Sequence, residues 1–507
     1  MKNFLSPLLC LALAPALLGE TIDNSSLLPK YKPDAEVRME RRADGASETP
    51  EWVKSLILVE FRVDSAIQNG TIQNLVPVLD HLAETGVNGV WVSPPLNGGN
   101  GYGNFGIHTM SSRLIGETDR QKQWQALKTF VDEAHKRNIR VFFDVINWGV
   151  TKHEGGAPIL KEKPEWFGEY YAPYAGYLFN WKNRELNEWY ADQIEEWLLK
   201  TGADGFRCDC APFYCGYGPF REVKERMRKA GRKILFIAEH GSSRKNVFDF
   251  DQVSFCYKNE KGSQQVRWVT DIYLQKNIVD MIRSGEELRM RDDYDREPGR
   301  ERFYTLMLSC HDSKNYIVKG SPITIGYQAI FAPFLPLWYL GEEWNNPPQF
   351  FVDYFYKRDR HPIPESWRLY YNLIDWQAKE KNRDFFEQVK KMIRIRRQHP
   401  EIFEYFPDDH RDSNICKVFT DRDDLLQAYA RFRDGKAILI VPNNSGKPAT
   451  LQISIPFRNV GLNPRDQVRI TDLQNDKTVA SGKMLNFSAQ LPAGGLGVYL
   501  VQSVKTH

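Results

Sequence analysis

From Trp52 onward the chain alternates short apolar runs with longer stretches whose apolar residues recur every three or four positions. "LILVEF" (56–61) precedes "IQNLVPVLDHLAETG", "VNGVWVS" (87–93) precedes "WQALKTFVDEAHKRN" (124–138), and "IRVFFDV" (139–145) precedes "ELNEWYADQIEEWLLKTG" (185–202). Runs of the first kind suit buried strands, and runs of the second suit amphipathic helices. Their alternation predicts βαβ units around a parallel sheet. "GFRCD" (205–209), "KILFIAE" (233–239), "QVSFCY" (252–257), "YTLMLSC" (304–310) and "LPLWYLG" (335–341) bring the series to eight strands, the count of a closed (β/α)8 TIM barrel.

Two stretches break the alternation. Residues 148–180 are rich in Gly, Pro and Tyr and too long for an ordinary loop, which predicts a small subdomain inserted after the third strand. Beyond residue 408 short alternating strands separated by Gly, Asn and Pro ("LLQAYARF", "KAILIVPNN", "TLQISIPF", "QVRITDL", "GVYLVQ") predict an antiparallel β-sandwich domain over 408–503. The charged helix "FFEQVKKMIRIRRQHP" (385–400) closes a barrel region of 51–405. At the other end, Lys2, an apolar run from Phe4 to Leu13 and "APA" (14–16) have the plan of a signal peptide over 1–20, followed by a polar linker over 21–50. The expectation is a secreted or periplasmic protein with no membrane attachment once the signal is removed.

Composition narrows the partner. Of 507 residues, 68 are Lys or Arg and 65 are Asp or Glu, scattered without long single-sign runs, so nothing suggests nucleic acid. The 13 Trp and 23 Tyr suit stacking on sugars as well as they suit filling a large core. Six cysteines remain beyond the leader (Cys208, Cys210, Cys215, Cys256, Cys310, Cys416). They form no regular framework, and buried free thiols are expected in place of disulfides. "CDCAPFYC" lacks paired metal-ligand spacing, so neither a metal nor a cofactor is expected.

Barrel enzymes carry their chemistry at the C-terminal ends of the strands. Asp144, Asp209, Glu239 and the pair His311-Asp312 all stand there. One such carboxylate is readily a solvated loop residue, but several converging on one mouth would be costly unless paired or employed. Strand alternation puts Arg207 and Asp209 on one face, toward the axis, where the guanidinium favours an ionised carboxylate. Cys208 and Cys210 are then expected on the other face, as apolar filler.

In this order and spacing the motifs resemble the α-amylase family of glycosidases, glycoside hydrolase family thirteen. "GFRCD" is similar to its fourth-strand pattern, "IAEH" to its fifth-strand Glu and "CHDS" to its seventh-strand His-Asp. "VNGVWVSPP", "NIRVFFDV", "LFNWKN", "PLWYLGEE" and "IDWQAKEKN" add to the likeness, which covers roughly 52–403. The resemblance implies Asp209 as nucleophile, Glu239 as general acid/base and Asp312 as the carboxylate that stabilises the transition state. It also implies that Arg207 and His311 hold the sugar, while Tyr102, Phe105 and Trp148 are candidate aromatic contacts.

The third-strand motif departs from the family. "DVINWGVTKH" places Trp148 and Gly149 where the family has the Asn of a calcium site and a His that touches the sugar. Asn147 and His153 are the displaced alternatives, and His108 is a further candidate for the sugar contact. The reading that results is a retaining glycosidase acting on α-glucosidic bonds in oligosaccharides or α-glucans. A transglycosylase or glucoside isomerase of the same family and a non-catalytic carbohydrate-binding protein are the alternatives.

Overall fold

The computed structural model describes residues 50–98, 102, 105–152, 158–211, 214–239, 250–253, 256–258, 264–266, 279, 303–307, 311, 322–346, 373–404 and 414–504. The leader and linker, His153, Asp312 and Cys310 lie outside the described residues, as does the side chain of Cys256.

In chain order the first strands are β1 (Leu58–Phe61), β2 (Gly89–Val92), β3 (Arg140–Ile146), β4 (Gly149–Thr151), β5 (Phe167–Tyr171), β6 (Gly176–Phe179), β7 (Gly205–Asp209) and β8 (Leu235–Ala238). They are followed by β9 (Phe250–Val253), β10 (Cys256–Lys258), β11 (Gln264–Val266), β12 (Phe303–Met307) and β13 (Leu335–Tyr339). Eight of these close into a barrel in the order β1-β13-β12-β9-β8-β7-β3-β2, with every pairing parallel. The eight-strand expectation holds. Only the sixth differs, because the run at 252–257 is divided: β9 joins the barrel, and β10 leaves it to pair with β11 in a hairpin.

The helices start and stop where their end residues dictate. Helix α1 (Val76–Thr85) ends on Gly86, whose φ of 93° supplies the left-handed cap. In α2 (Arg120–Lys136) the Asp119 carboxylate accepts from the Lys122 N–H at 2.9 Å, and Trp124, Leu127, Phe130, Val131 and Ala134 form the buried stripe. In α3 (Arg184–Thr201) the Asn183 side chain accepts from the Leu186 N–H at 3.0 Å. Helix α4 (Tyr217–Lys229) packs beside α3, and α5 (Arg383–Gln398) closes the barrel wall.

Between β3 and β7, β4, β6 and β5 form a three-stranded antiparallel sheet in that order, within the expected insert. Its first residue explains one departure in the sequence. A Cβ on Gly149 would lie 1.9 Å from the Tyr177 carbonyl oxygen, so the β4–β6 pairing requires glycine where the family has a side chain.

The C-terminal strands are β14 (Ile415–Val418), β15 (Ala428–Arg433), β16 (Lys436–Asn443), β17 (Ala449–Ser454), β18 (Val468–Asp472), β19 (Lys477–Gly482), β20 (Asn486–Leu491) and β21 (Gly495–Ser503). Six form a sheet ordered β14-β15-β16-β21-β18-β19, faced by the pair β17-β20. Alternation along β16 divides its burial. Ala437, Leu439 and Val441 fill the sandwich, while Ile438 and Ile440 join the barrel core.

Candidate active site

The β3–β7 register opposes Asp144 to Arg207 and Ile146 to Asp209, and β7 opposes Cys208 to Ala238, the residue before Glu239. Three carboxyl groups therefore surround one buried guanidinium. Arg207 Nη1 donates to Asp144 Oδ2 at 3.0 Å and to Asp209 Oδ1 at 2.8 Å, and Nη2 lies 3.2 Å from Glu239 Oε2. The guanidinium carbon sits 4.5 Å from the centre of the Trp91 ring, a cation–π contact that excludes water from beneath it.

The carboxyl groups are not equivalent. Asp144 has no exposed side-chain surface, and its Oδ2 accepts from Trp91 Nε1 at 3.0 Å and from the Tyr102 hydroxyl at 2.6 Å besides Arg207. Asp209 and Glu239 keep 12% and 11% of their side-chain surface open to the mouth. An oxygen of each lies within 4.8 Å of one on the other. A ligand at the barrel mouth meets these two.

Their electrostatics correct one expectation. Arg207 does not hold Asp209 ionised: burial first, then the Glu239 carboxylate, push Asp209 up to about 8, and the guanidinium offsets only part of this. The reason is division of charge, since the same guanidinium also serves Asp144 and Glu239. Burial likewise raises Asp144 to about 6, against Arg207 and the Tyr102 hydrogen bond. For Asp209, burial beside a second carboxyl therefore outweighs the guanidinium.

His311 is brought to the site by a residue that the motifs leave out. Glu60, at the end of β1, accepts from the His311 backbone N–H at 3.1 Å and pairs with its ring Nδ1 through the other oxygen. The Tyr102 ring stacks on the imidazole at 4.6 Å. Glu60 stands in the apolar run "LVEF" at a strand end, the signal that could have found it, and Trp91 stands equivalently in β2.

Of the aromatic candidates, Tyr102 and Trp148 line this region. Phe105 packs half-buried against the barrel core, and His108 is buried edge-on to Trp189. Trp148 clusters with Ile146 and Cys210 and meets Tyr174 of the insert at 4.9 Å.

Cys208 fills the barrel core as expected, whereas Cys210 packs with Ile146 and Trp148 beside the acids. The strand ends at Asp209, so alternation ends with it. Cys210 turns into the left-handed region (φ 58°), and its Sγ lies 3.5 Å from Asp209 Oδ2 and 3.4 Å from the Tyr174 hydroxyl. Cys208, Cys210, Cys215 and Cys416 are buried thiols, joined in no disulfide.

The residues do not fit the family's calcium. Trp148 packs as an apolar residue where an oxygen ligand is required, and Asn147 offers one buried amide whose oxygen and nitrogen lack hydrogen-bond partners. Calcium needs six to eight oxygens. Among the described residues, the cluster with metal-binding geometry is Asp209, Cys210 and Glu239, at the barrel mouth.

A parallel barrel with converging acids at its mouth, an insert after the third strand and a C-terminal β-sandwich is an architecture that known proteins share. No family model matches the chain. A cyclomaltodextrinase from Thermoanaerobacter pseudethanolicus is 21% identical over 418 residues, 75% of this chain and 64% of the relative, so the chain spans less than two thirds of that protein's length. The crystal structure of a noncanonic maltogenic α-amylase from Thermotoga neapolitana superposes with a TM-score of 0.64 at 17% identity, over 89% of this chain and 100% of that one. An α-amylase from Geobacillus thermoleovorans complexed with acarbose gives a TM-score of 0.62 at 16% identity, over 89% and 99%. The chain is thus similar to enzymes of the α-amylase family in sequence, and its likeness to the solved structures is one of fold.

Proposed function

We propose that the protein is a retaining glycosidase that hydrolyses α-glucosidic bonds in oligosaccharides or α-glucans. The observation that carries this is the pair Asp209 and Glu239, with oxygens within 4.8 Å of one another. Retaining enzymes hold their two carboxyl groups about 5–5.5 Å apart, whereas inverting enzymes leave about 6.5–9.5 Å for a water molecule.

In the first step an Asp209 oxygen attacks the anomeric carbon as the glycosidic C–O bond breaks. Glu239 gives its proton to the departing oxygen. Water then attacks the anomeric carbon, Glu239 takes the water's proton, and the bond to Asp209 breaks. The sequence requires one proton between the two acids at the start, carried by Glu239, with Asp209 ionised. Arg207 and Asp144 fix the nucleophile's position, and His311, oriented by Glu60, and Tyr102 supply contacts for the sugar. Asp312, next to His311, takes the transition-state role that the family motif gives it. The α-glucan relatives named above and the acarbose-bound neighbour support the substrate class, and the leader supports a secreted or periplasmic enzyme.

Incubation with a panel of α-linked glucosides and oligosaccharides, with proton NMR of the first-formed anomer, tests the reading. Retention is expected, and a fluorinated glucosyl fluoride should leave a covalent label on Asp209 in peptide mass spectrometry. Asp209→Ala and Glu239→Gln should each lose at least about 100-fold in turnover with unchanged circular dichroism. An inverted anomer, or a folded variant keeping a tenth of the activity, refutes the assignment.

A further inference from the structure

We propose that Cys210 is a positioning residue for the nucleophile: its thiol, anchored by the Tyr174 hydroxyl of the insert, donates to Asp209 Oδ2 and sets how tightly that oxygen holds a proton. The inference rests on the reading of Asp209 as nucleophile.

Four observations converge. Arg207 already occupies Asp209 Oδ1 at 2.8 Å, which leaves Oδ2 as the oxygen turned elsewhere, and the Cys210 Sγ is 3.5 Å from it. The thiol is itself tied at 3.4 Å to Tyr174, a residue of a different subdomain, so the contact bridges barrel and insert. Cys210 also holds the second acid, because its backbone N–H donates to Glu239 Oε2 at 2.5 Å. Finally, its φ of 58° is a conformation that glycine adopts without strain and cysteine does not, yet cysteine stands there. Strain retained between two reacting groups marks a side chain in use.

The chemistry of sulfur suits the task. Burial, then the Asp209 and Glu239 carboxylates, push the Cys210 thiol up, so it stays a neutral S–H. S–H is a weak donor. It orients the carboxylate without lowering that oxygen's nucleophilicity as a hydroxyl donor would. The charged and titratable groups facing Asp209 are Arg207 on its own strand, Asp144 on β3, Glu239 after β8 and Tyr174 on the insert, with Tyr102 and His311 beyond Asp144.

The test is the pH dependence of kcat/KM for Cys210→Ser, Cys210→Ala and Tyr174→Phe, with Asp209→Ala as reference. A hydroxyl donor stabilises the ionised carboxylate, so the acid limb in Cys210→Ser should move to lower pH, by about half a unit or more. Loss of the donor in Cys210→Ala should move it the opposite way. Tyr174→Phe should alter the limb in wild type and leave it unaltered in Cys210→Ala, because the tyrosine acts through the thiol. A limb that stays put, or moves the same way in both cysteine variants, overturns the proposal. An active Asp209→Ala would instead overturn the nucleophile itself.

Discussion

The Asp209 carboxyl makes stability depend on pH. Its ordinary value is about 3.9, and in the folded chain burial and Glu239 raise it to about 8. Between these pH values the unfolded chain has lost a proton that the folded chain keeps, so stability falls as pH rises from about 4 to about 8 and then levels. Asp209→Asn, which has no charge to bury, should therefore melt at a higher temperature than wild type at pH 8, with the gap closing toward pH 4. Scanning calorimetry at the two pH values decides it, and a wild type that is the more stable at pH 8 refutes the cause assigned here. Residues on regular strands are legible in the sequence. Arg207 and Asp209 share a face because β7 runs through both. Cys210 escapes the same rule because it is the first residue past the strand, where the two-residue period no longer applies. Glu60 shows as a charge within an apolar strand run, but its role does not, because its partner His311 is 251 positions away.

At the scale of elements, the third strand and the insert behind it set where this chain departs from the α-amylase pattern it resembles. The eight barrel strands are visible in the sequence because each is a continuous apolar run between turn signals. The insert shows only as an excess of Gly, Pro and Tyr, since its strands are short and β5 is largely exposed. Gly149 links the two, because β4 approaches β6 too closely for a side chain. Gly149→Ala should break this pairing, displace Trp148 and Tyr174 from the mouth and lower stability by about 1–3 kcal/mol, the usual cost of overpacking. Thermal melting and kcat/KM together check it, and an Ala variant indistinguishable from wild type in both would show that the sheet yields freely. The same segment removes the family's calcium position, as Trp148 packs against Ile146 and Cys210 in place of binding a cation. A chelator should therefore leave the melting temperature unchanged. A large fall restored by added calcium would show a site rebuilt from other ligands.

At the scale of the whole molecule, a buried arginine ties barrel to sandwich through backbone carbonyls. Arg431, on β15, is 2% exposed, and its guanidinium reaches three such carbonyls on two sides of the domain junction: Phe331 at 3.0 Å, Ile402 at 3.2 Å and Asn414 at 3.1 Å. On the barrel side Arg396, on α5, holds the carbonyls of Ile330, Phe334 and Phe403. Around them Tyr327 and Tyr429 exchange hydrogen bonds across the same junction, Tyr327 donating to the Gln427 carbonyl and Tyr429 to the Tyr327 carbonyl. One face of the sandwich thus joins the barrel core, and the two domains should unfold in a single transition. Removing the Arg431 fork takes a donor from the Phe331 carbonyl, at about 1–3 kcal/mol, while Ile402 keeps the Asn414 amide and Asn414 keeps the Phe432 N–H. Arg431→Ala should accordingly lower the melting temperature and separate the calorimetric endotherm into two, the sandwich melting apart from the barrel. Lysine should not rescue it, because one ammonium at the end of a flexible stem does not reproduce a planar fork aimed at carbonyls on both sides. A single endotherm in Arg431→Ala at the wild-type temperature, or full rescue by Arg431→Lys, would place the coupling in the shared apolar surface alone.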